Sequence, residues 1–149
     1  MLPSEVRAKI LEDHRRIRRE LDALEARAAA GEAGAVEPDA LRTLGESFLE
    51  LLETHMRWED EHLASALRDA DSWGAEREKR LVREHAEQRA EMKALLERLH
   101  DPERDAEKLA ADLQSLAQWL RRDMEGEEKE TLDPKVLRDD VVTIDTSSG

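Results

Sequence analysis

Cysteine is absent from this 149-residue chain. Disulfides, zinc ribbons, iron–sulfur clusters and thiolate haem ligation go with it, leaving His, Asp and Glu as the strong metal ligands. Aromatic residues make up only 3% of the sequence and β-branched residues are few, so strands have little to build on, whereas Ala, Leu, Glu and Arg dominate and favour helices. Basic charge is also short. A formal net charge of −13 leaves no phosphate-binding face, which argues against nucleic acid as a partner and against an anionic membrane surface. No uncharged run of about 18 residues is present to span a bilayer. The start, Met1-Leu2-Pro3-Ser4-Glu5, turns charged at once and offers no apolar core for a signal peptide, so the expectation is a cytoplasmic protein. The length suits one domain with a single sizeable core.

What the chain does have is helical periodicity, and the pattern predicts an all-α protein. Ser4 is expected to cap a first helix that runs to Ala28-Ala29-Ala30, with Gly31 and Gly34 as its stop. After a loop from Gly31 to Glu37, Pro38 suits the first turn of a second helix whose stripe is Leu41, Leu44, Phe48, Leu51, His55 and His62. Asp71 or Ser72 caps a third, carrying Leu81, His85, Met92 and Leu99, which His100-Asp101-Pro102 breaks. The fourth begins between Pro102 and Asp105 and reaches about Leu132. Asp133-Pro134 is expected to turn into a short helix over 134–138, and 141–149 to form an extended or disordered tail. Four helices joined by short loops imply an up-down-up-down four-helix bundle.

The stripes share one anomaly. In the fourth helix, Leu109, Leu113, Leu116 and Leu120 run into Asp123 and Glu127, two carboxylates where a core should continue. Ile10 leads to His14 and then Ile17, Leu51 leads to His55 and Glu59, and Leu81 leads to His85 and then Met92. Counted at about 1.5 Å per residue, His14, His55 and His85 fall at one depth to within a turn, and Asp123 joins them if 100–106 is a loop without helical rise. His55 with Glu59 and Asp123 with Glu127 are i, i+4 pairs, so each puts two ligand atoms on one helix face. Six such groups in one core demand a compensating cation, because a buried unpaired charge costs several kcal/mol. Three imidazoles and three carboxylates suit iron, manganese or zinc better than calcium or magnesium.

The segments Asp13-His14-Arg15-Arg16-Ile17-Arg18, His55-Met56-Arg57-Trp58-Glu59-Asp60-Glu61-His62-Leu63, Glu84-His85-Ala86-Glu87-Gln88-Arg89 and Glu127-Glu128-Lys129-Glu130-Thr131-Leu132 resemble, in order, the hemerythrin-like HHE cation-binding family. The resemblance implies that 1–140 form a hemerythrin-like bundle around an oxo-bridged non-haem di-iron centre. Glu59 and Glu127 would then bridge the irons, His14 and His55 would complete one, and His85 with Asp123 would serve the other. Manganese or zinc are possible replacements. Two positions depart from the family pattern. Asp123 stands where the fourth helix usually carries a His, and Arg89 stands where the oxygen carriers have a second His in the third helix. Fewer nitrogen donors favour the ferric state, weaken the case for reversible O₂ carriage, and open the way to asymmetric metal loading.

Each of these residues also has a plainer reading. Asp123 is either a ligand or the partner of Arg89 in a buried ion pair. His62 is expected to meet solvent or support the site without ligating, and His100 to cap or sit on the surface. Trp58 and Trp119 read as packing that keeps the site dry, Trp73 as a loop-side plug, and the acids of 125–130 other than Glu127 as a solvated face. The expected function is a di-iron protein that binds or senses O₂, nitric oxide or peroxide, or handles iron. The alternatives are a di-iron oxidoreductase consuming O₂ or peroxide, and a metal-free helical interaction module.

Overall fold

The computed structural model describes residues 1–140, and the expected tail at 141–149 lies outside them. All regular structure among the described residues is helical: α1 (Pro3–Glu32), α2 (Pro38–Ala70), α3 (Gly74–Leu99) and α4 (Ala106–Lys129). The four pack as a bundle in which α2 lies against α3 and α1 against α4 and α2, while α3 and α4 barely touch and leave a cleft of about 520 Å³ between them. No helix among the described residues is long and apolar enough to cross a membrane.

The helix ends follow local chemistry, with four differences from the sequence reading. Pro3, whose ring presets φ and which has no N–H to leave unpaired, opens α1, so Ser4 lies inside the helix and bonds the Asp139 carboxylate through its N–H and hydroxyl. Gly31 belongs to α1, where a Cβ would come within 2.7 Å of Leu41 Cδ1; Gly34, at φ 81°, makes the turn. Asp71 accepts a hydrogen bond from the Trp73 N–H, and α3 starts at Gly74. Asp105 caps α4 by accepting from the Lys108 N–H at 2.9 Å, and 100–105 form the loop that the depth count needs. The expected short helix over 134–138 is one turn, in which the Val136 and Leu137 N–H groups both donate to the Asp133 carbonyl. Burial of Leu137 and the tie between Asp139 and Ser4 hold that segment to the bundle and draw it away from a second helical turn.

The core is divided. Ile17, Leu21 and Leu24 of α1 pack with Phe48, Leu52 and Met56 of α2, Met92 to Leu99 of α3 and Leu109 to Met124 of α4. A second cluster holds Val6, Ile10, Leu63, Leu67, Leu81, Leu132 and Leu137. His14, Glu59 and His85, the buried polar side chains, come between the two clusters in the sequence of every helix that carries them. On α2 the buried stripe runs through Phe48, Leu52, Met56, Glu59, Leu63 and Leu67, so Leu44 and Leu51 are only partly buried and His62 faces outward against Trp58. Trp73 is 67% exposed and plugs nothing.

Gly74 is the tightest backbone approach. A Cβ there would lie 2.3 Å from the Leu67 carbonyl oxygen and 2.4 Å from that of Arg68, neither of which a rotamer change can move. Gly74→Ala is therefore expected to destabilise the protein by roughly 1–3 kcal/mol, as overpacking does, and thermal denaturation should show a Tm several degrees lower. An unchanged Tm would mean that the start of α3 shifts freely.

Candidate metal centre

The polar layer draws side chains from all four helices. His14 on α1, His55 and Glu59 on α2, and Glu127 on α4 each offer one donor atom, and these atoms lie within 4.8 Å of one another. His14 Nε2 is 3.1 Å from Glu127 Oε1, and His55 Nε2 is 3.3 Å from Glu59 Oε1. His85, on α3, brings its Nε2 to 3.4 Å from the same Glu59 oxygen. Asp123 lies outside the four-donor group: its Oδ2 accepts from Gln88 Nε2 at 3.0 Å, and its carboxylate lines the cleft between α3 and α4. Arg89 does not reach it. That guanidinium donates to Asp60 and Glu53 on α2, so the ion pair between Arg89 and Asp123 considered from the sequence does not form.

Each histidine is held from behind. The Nδ1–H of His14 donates to Glu128 Oε2 at 3.1 Å, that of His55 to Asp13 Oδ2 at 3.3 Å, and that of His85 to Asp60 Oδ1 at 2.5 Å. Each carboxylate is in turn paired with a cation. Arg18 holds Glu128 at 2.6 Å, Lys9 holds Asp13 at 2.6 Å and Arg89 holds Asp60 at 2.6 Å. An ionised carboxylate only accepts, so these contacts place a proton on Nδ1 and turn every Nε2 inward, where those of His55 and His85 donate to Glu59 when the rings are protonated.

That arrangement leaves a deficit at the centre. Glu59 Oε2 and Glu127 Oε1 are buried and have no hydrogen-bond partner. The 3.1 Å approach of His14 Nε2 to Glu127 Oε1 brings two electron-pair donors together without a hydrogen bond, a geometry that only a proton or a metal between them makes favourable. The carboxyls respond as expected. Burial and then the charge on Glu59 push the Glu127 carboxyl well above the usual range. Burial acts on Glu59 in the same sense, but the hydrogen bonds to His55 and His85 outweigh it and hold that carboxyl well below. Burial and the neighbouring His55 lower the His14 pKa, whereas for His55 and His85 the carboxylate contacts overcome burial and raise it. Burial also raises Asp123. A cation between Glu59 and Glu127 would offset the repulsion between the two carboxyls and give both orphaned oxygens a partner, so the donor set fits a metal.

A small cavity of about 30 Å³ adjoins this cluster, lined by His14, His55, Glu59 and Glu127 on the polar side and by Met92 and Trp119 among its apolar walls. Trp119, Gln88, Asp123 and Glu127 border both this cavity and the larger cleft. The other histidines stand apart: His62 stacks on Trp58 with ring centroids 4.5 Å apart, and His100 pairs with Glu46 at the end of α3.

The stripes do not reveal Asp13, Asp60 or Glu128, and Glu128 belongs to the histidine layer and not to a solvated face. A signal was available, because each is the sequence neighbour of a stripe residue: His14, Glu59 and Glu127. A neighbour lies about 100° round the helix and so faces the adjoining helix where its predecessor or successor faces the centre.

No curated protein and no solved structure matches the chain. A family model described as the hemerythrin HHE cation binding domain matches residues 6–133, which span all four helices and the whole polar layer. With that match over most of its length, and with His and Glu donors gathered between two apolar clusters, the chain belongs to the hemerythrin HHE cation-binding domain family.

Proposed function

We propose that this protein is a non-haem di-iron protein whose four helices run alternately up and down, and that it binds or senses O₂, nitric oxide or peroxide, or handles iron. The observation that carries the reading is the pair of orphaned oxygens, Glu59 Oε2 and Glu127 Oε1, gathered with the inward-turned nitrogens of His14, which faces Glu127 Oε1, and of His55 and His85, which face the other Glu59 oxygen. The residues that would hold the metal are His14, His55, Glu59, His85, Asp123 and Glu127, with Glu59 and Glu127 placed centrally among them. Iron held there supplies a Lewis acid that changes oxidation state and keeps a position open to a small ligand. The rest falls to the chain. His14, His55, Glu59 and Glu127 would hold the metal together with His85 and Asp123, and Met92 and Trp119 line the adjoining cavity as its apolar walls. A cavity of about 30 Å³ has room for a water-sized molecule, so it suits a diatomic better than a bulky substrate.

The second reading, an oxidoreductase consuming O₂ or peroxide, draws on the cleft of about 520 Å³ that reaches Asp123 and Glu127 and gives solvent protons a route to the centre. The metal-free module is the weaker alternative, because it leaves the orphaned oxygens without a partner. Protein expressed with ample iron is expected to carry up to two irons per chain with charge-transfer absorption in the near ultraviolet. Elemental analysis showing no transition metal would overturn the proposal. A reversible spectral change on removing O₂ favours binding, and steady turnover of peroxide favours the enzyme.

Asp123 gives a sharper test. Asp123→Ala is expected to lower the metal content, and Asp123→His to restore it with a more hemerythrin-like spectrum, since a nitrogen donor then stands at the family's usual place. Metal content unchanged in Asp123→Ala would remove Asp123 from the ligand set.

A further inference from the structure

The helix seams around the polar layer repeat one device. Between α4 and α1, Glu128 accepts from His14; between α1 and α2, Asp13 accepts from His55; between α2 and α3, Asp60 accepts from His85. In each case the carboxylate sits beside a residue of the candidate ligand set on its own helix and reaches a histidine on the next. The seam between α3 and α4 carries the same kind of contact with its polarity inverted: Gln88 donates from α3 to the carboxylate of Asp123 on α4. An acceptor at 123 calls for a donor opposite it, and the Gln88 amide supplies one.

The geometry points to Glu128, Asp13, Asp60 and Gln88 as a ring of positioning residues, one per seam, that orients the four side chains His14, His55, His85 and Asp123 towards the metal and holds the three imidazoles as Nδ1–H tautomers. The inference rests on the proposed metal centre for its purpose, though not for its geometry. Arg89 gains a role from it. One turn along from His85, where the oxygen carriers of the family have a second histidine, this chain places a cation that binds Asp60 and Glu53 and so braces the group behind His85. Lys9 and Arg18 do the same for Asp13 and Glu128. A carboxylate behind an imidazole fixes the ring and strengthens the opposite nitrogen as a donor, and loss of such a partner typically weakens metal binding about 10–100-fold.

Asp60 is the member to test, because about a third of its side chain is exposed and it belongs to neither apolar cluster. Two measurements are needed. Titrating Fe(II) into the metal-free chain under nitrogen should show binding to Asp60→Ala weakened by about 10–100-fold, and Asp60→Asn, whose amide oxygen still accepts, should recover part of the loss. Nitrogen-15 correlation spectra of the neutral imidazoles in the metal-free protein should report Nδ1–H for His14, His55 and His85, with only His85 changing in Asp60→Ala. Fe(II) affinity within twofold of the parent, or His85 keeping its tautomer without Asp60, would overturn the inference. If the parent itself binds no Fe(II), the proposed function fails, while the nitrogen-15 spectra still decide whether the ring orients the histidines.

Discussion

Glu59→Ala is expected to strip the protein of nearly all its metal. One oxygen of this carboxylate lies 3.3 Å from His55 Nε2 and 3.4 Å from His85 Nε2, and the other is buried with no partner, so Glu59 alone reaches both histidine positions on either side of the layer. Deleting an end ligand leaves a cation its remaining donors. On the proposed ligand set, deleting Glu59 would lower the donor count at both positions, and it leaves Glu127 as the only carboxylate in the four-donor group. The loss should exceed the roughly 10–100-fold that outer partners cost. Glu59→Gln, nearly the same size, keeps the layer packed and separates loss of the ligand charge from formation of a cavity. Glu61→Ala, on the exposed side of the same helix, serves as the control and should retain full loading. Iron content by elemental analysis reads the result directly. Glu59→Ala protein that still carries the parent's iron would show that the metal sits elsewhere.

Removing the metal should also lower the melting temperature. The native bundle gathers the donors and the unfolded chain does not, so a metal present at about 100 times its Kd stabilises the fold by roughly 2.7 kcal/mol. For a domain of this size that corresponds to about 5–10 °C. The structural origin is the divided core: imidazoles and carboxylates interrupt the apolar packing on every helix, and without a cation the Glu59 and Glu127 oxygens stay buried and unpaired. Scans of chelated and iron-loaded protein would check this, and coincident transitions would mean that the layer is satisfied by its own proton. Asp123→Ala should melt between the two if it empties one position of a pair.

Much of this was legible in the order of residues because a helix repeats every 3.6 positions and puts a stripe on one face. The interruptions at His14, Glu59, His85 and Glu127 show as polar residues inside apolar stripes, and the loop at 100–105 was required by the depth of Asp123. On α2 the buried face falls at Gly45 and Leu52, one position on from Leu44 and Leu51, since α2 meets neighbours on more than one side and its buried face is wide enough to admit either register.

What the sequence determined by itself was the helical class, the depth of the polar layer and the chemistry of its donors, because periodicity and residue type are local properties. The tertiary structure alone decided who pairs with whom. Arg89 turns to Asp60 and Glu53 and leaves Asp123 to Gln88, and Glu128 leaves the acidic face to hold His14. These contacts span 29, 35 and 114 residues of chain, and each depends on which helices lie side by side and how each is rotated about its axis. No stripe carries that information, because Asp60 and Glu128 lie about 100° from the face that their stripes define and Gln88 and Arg89 flank theirs.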